Sequence, residues 1–128
     1  MAGDDGRKRF RPKQRIRARA EFDAVFRNGV RVQNESLTVW LLPAAAGRVE
    51  TRLGIVVSRK HGGAVARNRL KRLIREAFRM SARELPIASD ILCQPRAGRK
   101  LSLDEACASL VRLARAALGR GSRAPQGH

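Results

Sequence analysis

The sequence predicts one α/β sandwich in which helices pack on a small β-sheet. Its 128 residues suit a single domain. Its apolar fraction of 43% is typical of a globular chain with one modest core. The apolar pattern switches between periods of about 3.6 and about 2 residues in the order α-β-β-β-α-β-α, which indicates helices layered on one sheet.

The charge of the chain predicts an anionic partner. Lys and Arg total 28 against 11 Asp and Glu, which gives a formal net charge of +17 at pH 7. Because such a surplus repels itself in a compact fold, we expect nucleic acid, or as a second candidate an anionic membrane, to offset it. There is no apolar run near the roughly 20 residues that span a bilayer. The basic N-terminus also lacks the apolar segment of a secretory signal.

Few side chains are available for catalysis by the protein itself. His61 and His128 are the only histidines, and His61 is expected to be an exposed loop residue. Cys93 and Cys107 lack partners at metal-ligand spacing. A disulfide between them is one alternative, and two reduced thiols in a cytosolic protein are the expected one. We therefore predict no catalytic residue and no metal site made by protein side chains alone.

The N-terminal part is predicted as a basic arm followed by a helix. Residues 1–18 form the arm, which we expect to be extended or disordered in the free protein, either as a solvated tail or as a segment that orders on phosphate. Residues 19–28 form the helix, without a polar residue at its cap position. Its apolar face carries Phe22, Val25 and Phe26. Gly29 follows, where a helix end favours a left-handed residue.

Three strands are predicted next. The first covers residues 30–34, and the second covers residues 36–42, where the alternate residues Leu37, Val39 and Leu41 share one face. The third covers residues 52–58, and its nearly continuous apolar run predicts burial on both faces. A fourth strand is predicted over residues 90–94, with its ladder ended by a proline.

The most informative segment is a helix predicted over residues 64–79. At about 100° per residue its apolar side chains fall on one arc. The arc consists of Ala66, Leu70, Leu73, Ile74, Ala77 and Phe78. The rest of the surface carries Arg67, Asn68, Arg69, Lys71, Arg72, Arg75 and Arg79. Like charges four residues apart repel each other, and Arg forks suit phosphate, so a polyanion-binding face is favoured over a merely solvated one.

A capping box opens the last helix. Ser102 and Glu105 have the required spacing. The buried side of this helix is predicted to carry Leu103, Ala106, Cys107, Leu110, Ala114, Ala117 and Leu118. The domain and its last helix are predicted to end at residue 118, so the domain covers residues 19–118. Residues 119–128 are rich in Gly and polar residues, and we expect them to form a disordered tail.

Aromatic side chains are scarce, and three of them are candidate platforms for unpaired bases. Trp40 lies on the strand face opposite the alternating apolar residues. If that face is open, an unpaired base can stack on Trp40; if it is covered, Trp40 is a core residue of a second face. Phe22 and Phe26 can likewise be platforms or ordinary core residues. A single-stranded RNA site needs such a platform beside cations, and the sequence has both.

In the order and spacing of four blocks, the chain resembles the bacterial ribonuclease P protein component. The first block is the basic helix with Arg67-Asn68-Arg69. The others are Glu21-Phe22 with Val25-Phe26 and Gly29, the 52–58 strand followed by Lys60, and Asp90 at the start of the last strand. The resemblance runs from about Arg15 to Leu118.

The resemblance implies a cytoplasmic protein that is the auxiliary subunit of an endoribonuclease with a catalytic RNA. The holoenzyme removes the 5′ leader of precursor tRNA by Mg²⁺-dependent hydrolysis, and the RNA mainly holds the metal. No membrane and no small-molecule cofactor is implied. The implied fold is that of the second domain of ribosomal protein S5, with a left-handed β-α-β crossover. By position, the residues facing the catalytic RNA are Arg67, Asn68, Arg69, Lys71, Arg72 and Arg75. Those along the leader cleft are Phe22, Phe26, Trp40 and Lys60.

Other classes of function explain the sequence less completely. A ribosomal or general structural RNA-binding protein shares the charge, but it does not require the four ordered blocks. A self-sufficient protein nuclease needs a carboxylate cluster, a histidine pair or a cysteine site, which the sequence lacks. A membrane-surface protein needs a free apolar helix face, and here the core uses that face.

Overall fold

A four-stranded sheet with helices on both faces organises the chain, which confirms the predicted α/β sandwich. The computed structural model describes residues 14–44 and 47–123. In chain order the elements are α1 (Arg19–Asn28), β1 (Val30–Gln33), β2 (Leu37–Pro43), β3 (Arg52–Ile55), α2 (Ala64–Ser81), β4 (Ser89–Pro95) and α3 (Leu103–Arg123). None of the helices in these ranges has a stretch that is long and apolar enough to cross a membrane.

The strand order in the sheet is β1-β2-β4-β3. The β1–β2 and β2–β4 pairs are antiparallel, whereas β3 and β4 are parallel neighbours joined through α2. This β3-α2-β4 unit is the one to which the implied left-handed crossover refers, and its hand stays a prediction. The arrangement makes β4 a central strand, and Pro95 ends its ladder opposite Leu37.

The main core lies between one sheet face and helices α2 and α3. Leu37, Val39 and Leu41 of β2 all point into it, as their alternation predicts. Phe78 of α2 is only 2% exposed, which confirms its assignment to the core. Cys93 is also buried there, and burial raises the pKa of its thiol to about 12. Cys93 and Cys107 are both free thiols.

The second sheet face is partly covered by α1 and by the segment before it. Residues 14–18, predicted as part of a disordered arm, instead lie along the edge of β3. Arg15 forms a parallel bridge with Leu53, and the Ile16 N–H donates to the Leu53 carbonyl over 3.0 Å. Ile16 is buried, because its side chain fills the gap between α1 and this edge. Residues 1–13 of the predicted arm lie outside the described residues.

Several predicted boundaries shift by one or a few residues. β1 ends at Gln33, because the Asn34 Oδ1 accepts from the N–H groups of Ser36 and Leu37 and turns the chain. β3 ends at Ile55 and is an edge strand, although the Val56 N–H still donates to the Cys93 carbonyl. Both faces of β3 are nevertheless covered, since Leu53 joins the main core and Gly54 lies under α1.

The last helix is longer than predicted and buries a different set of residues. The capping box is confirmed, since Ser102 and Glu105 exchange side-chain-to-backbone hydrogen bonds. The helix continues to Arg123, so residues 119–123 are helical and not disordered. Glycine costs a helix only about 1 kcal/mol, which does not end it. Leu118 is 38% exposed, because it lies about 120° around the helix from Ala106. Leu113 is buried instead, and residues 124–128 lie outside the described residues.

Gly29 is required for a close approach and not for a left-handed conformation. Its φ of −79° and ψ of 162° are extended, which corrects the expectation from the sequence. A Cβ at this position would lie 2.5 Å from the Val25 carbonyl oxygen and 3.0 Å from that of Leu41. Both are backbone atoms, which cannot rotate away as a side chain can.

We therefore expect Gly29→Ala to lower the free energy of unfolding by about 2 kcal/mol, the usual cost of forcing extra volume into a packed site. Urea unfolding of both proteins measures this difference. Gly119→Ala is the matched control, because a Cβ there meets nothing within 4 Å and alanine favours a helix. It should leave stability unchanged or raise it. Equal losses in the two variants would contradict the explanation.

Candidate nucleic-acid interface

The second sheet face presents three rows of side chains, of which α1 covers only part. Strand pairing aligns Leu42, Asp90 and Arg52 in the first row. It aligns Arg31, Trp40, Leu92 and Gly54 in the second row, and Gln33, Thr38 and Gln94 in the third. Among the described contacts, those of α1 reach the first two rows. The third row forms a polar border beside the helix, in which Gln33 is exposed, Gln94 is half-buried and Thr38 is buried; we call it the open border.

Trp40 and Phe26 are in contact at the edge of α1, beside the open border. Their ring centroids are 4.9 Å apart and their planes cross at 84°, an edge-to-face contact. Phe26 is 40% exposed and Trp40 is half-buried, so neither ring is sealed in the core. The Arg31 guanidinium carbon lies 5.8 Å from the Trp40 ring centroid. The pair therefore offers partly exposed aromatic surface beside a cation, and we call Phe26, Trp40 and Arg31 together the aromatic site.

Phe22 has a different environment. The edge of its ring reaches to 2.9 Å from the position that a Cβ on Gly54 would occupy, so the ring packs on bare backbone. It joins a small apolar cluster with Val25, Leu92 and Ile16. The sequence left open whether Phe22 is a platform for bases or an ordinary core residue. Phe22 is half-buried, so it belongs to a second core and also keeps part of its surface exposed.

A network of four charged side chains fixes the start of α1 on the sheet. Arg52 binds both carboxylate oxygens of Asp90, at 2.9 and 3.0 Å, and reaches Glu21 at 2.7 Å. Arg48 adds a contact to Asp90 at 2.6 Å. The second oxygen of Glu21 accepts from the Ala18 N–H over 3.3 Å, which supplies the cap that the sequence lacks. The network therefore sets the position of one wall of the aromatic site.

The network lowers the pKa of both carboxyl groups. Burial alone would raise the pKa of Asp90, but the hydrogen bonds from Arg52 and Arg48 outweigh it. The hydrogen bond from Arg52 likewise lowers the pKa of Glu21 against the effect of burial. Each lowered pKa is a stability contribution that is present above the ordinary carboxyl pKa of about 4 and is lost as pH falls through the folded-state value.

We accordingly expect the free energy of unfolding to fall as the pH drops below about 4. Urea titrations across the acidic range measure it. The slope should be shallower in Asp90→Asn, because that side chain no longer titrates. An unchanged slope in this variant would remove Asp90 as a source of the pH dependence.

A histidine clamp orders the turn between β3 and α2. The Nδ1 of His61 accepts from the Ser58 N–H over 3.0 Å, which leaves the Nε2 to donate to the Pro95 carbonyl, 2.7 Å away. His61 is half-buried, so the expectation of an exposed loop residue is wrong. The clamp ties the turn to the end of β4. Lys60 lies in this turn with its side chain exposed.

The cations of α2 divide between two sides of the helix. Arg67, Lys71 and Arg75 follow one another at four-residue spacing and are half-buried. Lys71 and Arg75 line a cavity of about 210 Å³ with Arg15, Arg17 and Phe22. No acidic side chain of the described residues lines it. Burial, and then repulsion from Arg15 and Arg72, lowers the pKa of Arg75. We call this side the β3 flank.

The other side of α2 faces away from β3. Asn68, Arg69 and Arg72 are exposed, and Arg69 and Arg72 border the loop that follows β4. Arg79 differs from the other cations because it is paired with Glu76. The α2 residues predicted to face the catalytic RNA thus form two separate cationic surfaces and not one uniform face.

The structure brings some of the predicted site residues together and leaves others apart. Phe26 lies against Trp40, and Phe22 lies against the same cavity as Lys71 and Arg75. No described contact joins Lys60 to the aromatic side chains. Several further residues contribute to this surface but were not predicted as site residues from the sequence. They are Arg15, Arg17, Arg31, Arg52 and the carboxylates of Glu21 and Asp90. Only the strand register could have paired Arg31 with Trp40.

The donor set of residues 14–44 and 47–123 does not fit a magnesium site. In the part of the chain that the structure describes, no three His, Cys, Asp or Glu side chains come together as ligands. The two carboxylates that lie close to each other, Glu21 and Asp90, are both bound by Arg52. Carboxylates held by arginine are poor ligands for Mg²⁺, which needs their oxygens unshielded.

The fold and this surface define a class of protein: a basic α/β sandwich with an arginine-rich helix beside a partly covered sheet face that carries aromatic side chains. The family model described as Ribonuclease P matches residues 10–118. The chain belongs to the ribonuclease P protein family, as the order of its sequence blocks predicts.

Curated relatives and solved structures agree with this assignment. The ribonuclease P protein component of Desulfovibrio desulfuricans is 48% identical over 82 residues, which is 63% of each chain. That of Thermotoga petrophila is 44% identical over 93 residues, covering 73% of this chain and 76% of the relative. The structure of the Thermotoga maritima protein superimposes with a TM-score of 0.71 at 34% identity and covers 80% of this chain and 96% of that one. The Staphylococcus aureus protein gives 0.70 at 32% identity, with 81% and 94% covered.

Proposed function

We propose that this chain is the protein subunit of ribonuclease P and that it uses two surfaces. Helix α2 binds the catalytic RNA, and the aromatic site with its open border binds the single-stranded 5′ leader of precursor tRNA. The RNA carries out the Mg²⁺-dependent hydrolysis that removes the leader, and the protein assists it. The observation that carries the proposal is the contact of Phe26 with Trp40 at the open border of α1, beside Arg31.

Single-stranded recognition suits this site because unpaired bases expose flat apolar faces. Such faces stack on aromatic rings, whereas bases in a duplex are already stacked on each other. Trp40 and Phe26 supply the rings, and Gln33 and Gln94 supply amide groups that can hydrogen-bond base edges. The amides are not matched to one base, so we expect weak sequence preference in the leader.

The leader backbone needs cations along the same path. Phe22, on the sheet-facing side of α1, also lines the cavity that Lys71 and Arg75 line, so the aromatic site continues into the β3 flank. Arg15, Lys71 and Arg75 are like charges around one cavity, and a phosphate that lies between them relieves their mutual repulsion. An RNA leader that passes from Trp40 to the β3 flank therefore approaches α2, the helix that binds the catalytic RNA in this proposal.

Magnesium enters the proposal through the RNA. The chain offers no fitting ligand set among its described residues. The protein's part is to neutralise phosphate charge and to hold the leader. Both effects lower the concentration of Mg²⁺ that the RNA needs, because cations of the protein replace part of the counterion atmosphere.

Trp40 is the only tryptophan of the chain, which gives a direct test of leader binding. Titrating the assembled protein and RNA with precursor tRNA should change the tryptophan emission, because a base stacks on the indole. Mature tRNA, which lacks the leader, is the matched control and should leave the emission unchanged. Equal responses to the two ligands would contradict leader binding at this site.

The salt dependence of assembly tests the role of α2. Each phosphate contact that is lost lowers the slope of log affinity against log salt concentration by about 0.7 to 0.9. We expect Arg67→Ala and Arg69→Ala each to weaken binding to the catalytic RNA and to reduce this slope by about one contact. Filter binding over a range of salt concentrations measures both. Arg83→Ala is the control, since Arg83 is exposed in the turn after α2. An unaltered slope in the Arg67 or Arg69 variant would remove that residue from the interface.

The alternative function is that of a ribosomal or general structural RNA-binding protein. The net charge of +17 favours RNA binding of either kind. The two proposals differ in what the aromatic site recognises, since a structural protein has no need to distinguish precursor from mature tRNA. The fluorescence comparison therefore separates them.

A further inference from the structure

A groove lies on the side of α2 that faces away from β3, and it is separate from the aromatic site. It lies between α2 and the loop of residues 96–101 that follows β4, and it has a volume of about 670 Å³. Its floor is apolar and consists of Ala66, Leu70, Leu73, Leu101 and Leu103, all half-buried. Its size is within the range of sites that hold small organic ligands.

The rim of this groove is cationic. Arg69 and Arg72 of α2 face Arg96, Arg99 and Lys100 of the loop across the opening. The one acidic lining residue, Glu76, is bound by Arg79. Gly98 turns the loop with a φ of 75°, a conformation that favours glycine and brings the loop cations over the floor.

Part of the rim has no partner among the residues that the structure describes. Arg99 is paired with Glu105 at 3.1 Å, and the Arg96 Nε donates to the Asn34 carbonyl at 3.3 Å. In the described part of the chain, Arg69, Arg72 and Lys100 have neither a hydrogen-bond acceptor nor an acidic partner. Three cations without partners above a leucine floor fit a ligand that is both anionic and flat and apolar.

We propose that this groove binds one unpaired nucleotide of the catalytic RNA, with its base on the leucine floor and its phosphates at Arg69, Arg72 and Lys100. The proposal rests on the proposed function, in which α2 faces that RNA. An inorganic anion leaves the leucine floor uncovered. An RNA duplex keeps its bases inside the double helix, so they cannot reach the floor. A nucleotide turned out of the helical stack satisfies both parts of the groove. The flat Arg side chains can also stack on the base.

The first test uses the full-length protein without the catalytic RNA, so its outcome does not depend on the proposed function. Methyl signals of Leu70, Leu73 and Leu101 are followed by NMR during titration with the dinucleotide ApA and, separately, with inorganic pyrophosphate. We expect ApA to shift these methyl signals and pyrophosphate to leave them in place. Equal shifts with both would reduce the groove to an anion site and overturn the proposal. So would the absence of any shift with ApA, or a stronger response to an acidic leucine-rich peptide.

The second test uses the complex with the catalytic RNA. Reversing the exposed charge in Lys100→Glu should weaken binding to the RNA about ten-fold, because one phosphate contact becomes repulsive. Lys100 is exposed, so the variant should fold, and a thermal melt checks this. Arg120→Glu, an equal charge reversal on exposed α3, is the control. Unchanged affinity for Lys100→Glu would overturn the proposal. The Trp40 emission response to precursor tRNA reports separately on the proposed function.

Discussion

Replacing Asp90 by alanine is expected to lower the free energy of unfolding by about 3 kcal/mol. Asp90 is buried and accepts hydrogen bonds from Arg52 and Arg48, so its removal leaves two partly buried guanidinium groups without their carboxylate. Breaking a buried ion pair from one side costs much more than the pair itself contributes, because the remaining charge stays desolvated. Urea unfolding measures the difference.

A surface ion pair provides the control for Asp90. Glu76→Ala breaks the pair with Arg79, in which the Glu76 side chain is 42% exposed. An exposed pair of this kind contributes less than about 1 kcal/mol. Asp90→Asn should fall between the two, since it keeps the shape and one acceptor. A loss for Asp90→Ala no larger than that for Glu76→Ala would show that the network does not hold α1 on the sheet.

Replacing Trp40 by alanine is expected to weaken binding of leader-bearing precursor tRNA by about 1–3 kcal/mol, or roughly 5- to 150-fold. The loss has two parts. The base loses its stacking surface, and Phe26 loses the ring that it meets edge-on at 4.9 Å. Trp40→Phe keeps an aromatic face and should recover most of the affinity. The measurement is the equilibrium affinity of the assembled protein and RNA for precursor tRNA.

Two comparisons make the Trp40 result specific. Affinity for mature tRNA should be unchanged in Trp40→Ala, because no leader is present to lose a contact. Ile87→Ala removes another exposed apolar side chain, which is 83% exposed and makes no described contact with Trp40 or Phe26, and it should change neither affinity. If Trp40→Ala weakened binding of both RNAs equally, Trp40 would act on folding or on general RNA affinity and not on the leader.

The order of elements could be predicted from the sequence because each carries its own local signal. The alternation of Leu37, Val39 and Leu41 placed β2 on the core, and the arc ending in Phe78 placed α2. Sheet order is a different kind of information. Nothing local to residues 90–94 shows that this strand pairs with β2 on one side and β3 on the other. Long-range pairing is settled by tertiary packing, which periodicity does not encode.

The candidate site was predictable in its residue types but not in its arrangement. Helical spacing identified the cations of α2, and only the packing of α1 and of residues 14–18 shows that Lys71 and Arg75 share a cavity with Arg15. The network of Arg52, Asp90 and Glu21 joins residues that are distant in sequence, and no local pattern shows that they contact one another. The sequence analysis singled out Gly29 as a left-handed residue at a helix end. Its actual requirement, the close approach to the Leu41 carbonyl, depends on tertiary packing and has no local sequence signal.

Cleavage of precursor tRNA at low Mg²⁺ tests the central claim most directly. Three reactions are compared, with the catalytic RNA alone, the protein alone, and the two together. We expect cleavage at the mature 5′ end only when both are present, because the RNA supplies the metal-dependent chemistry and the protein supplies counter-charge and leader binding. Cleavage by the protein alone that survives Arg67→Ala and contaminant controls, or no gain over the native RNA alone, would contradict the account.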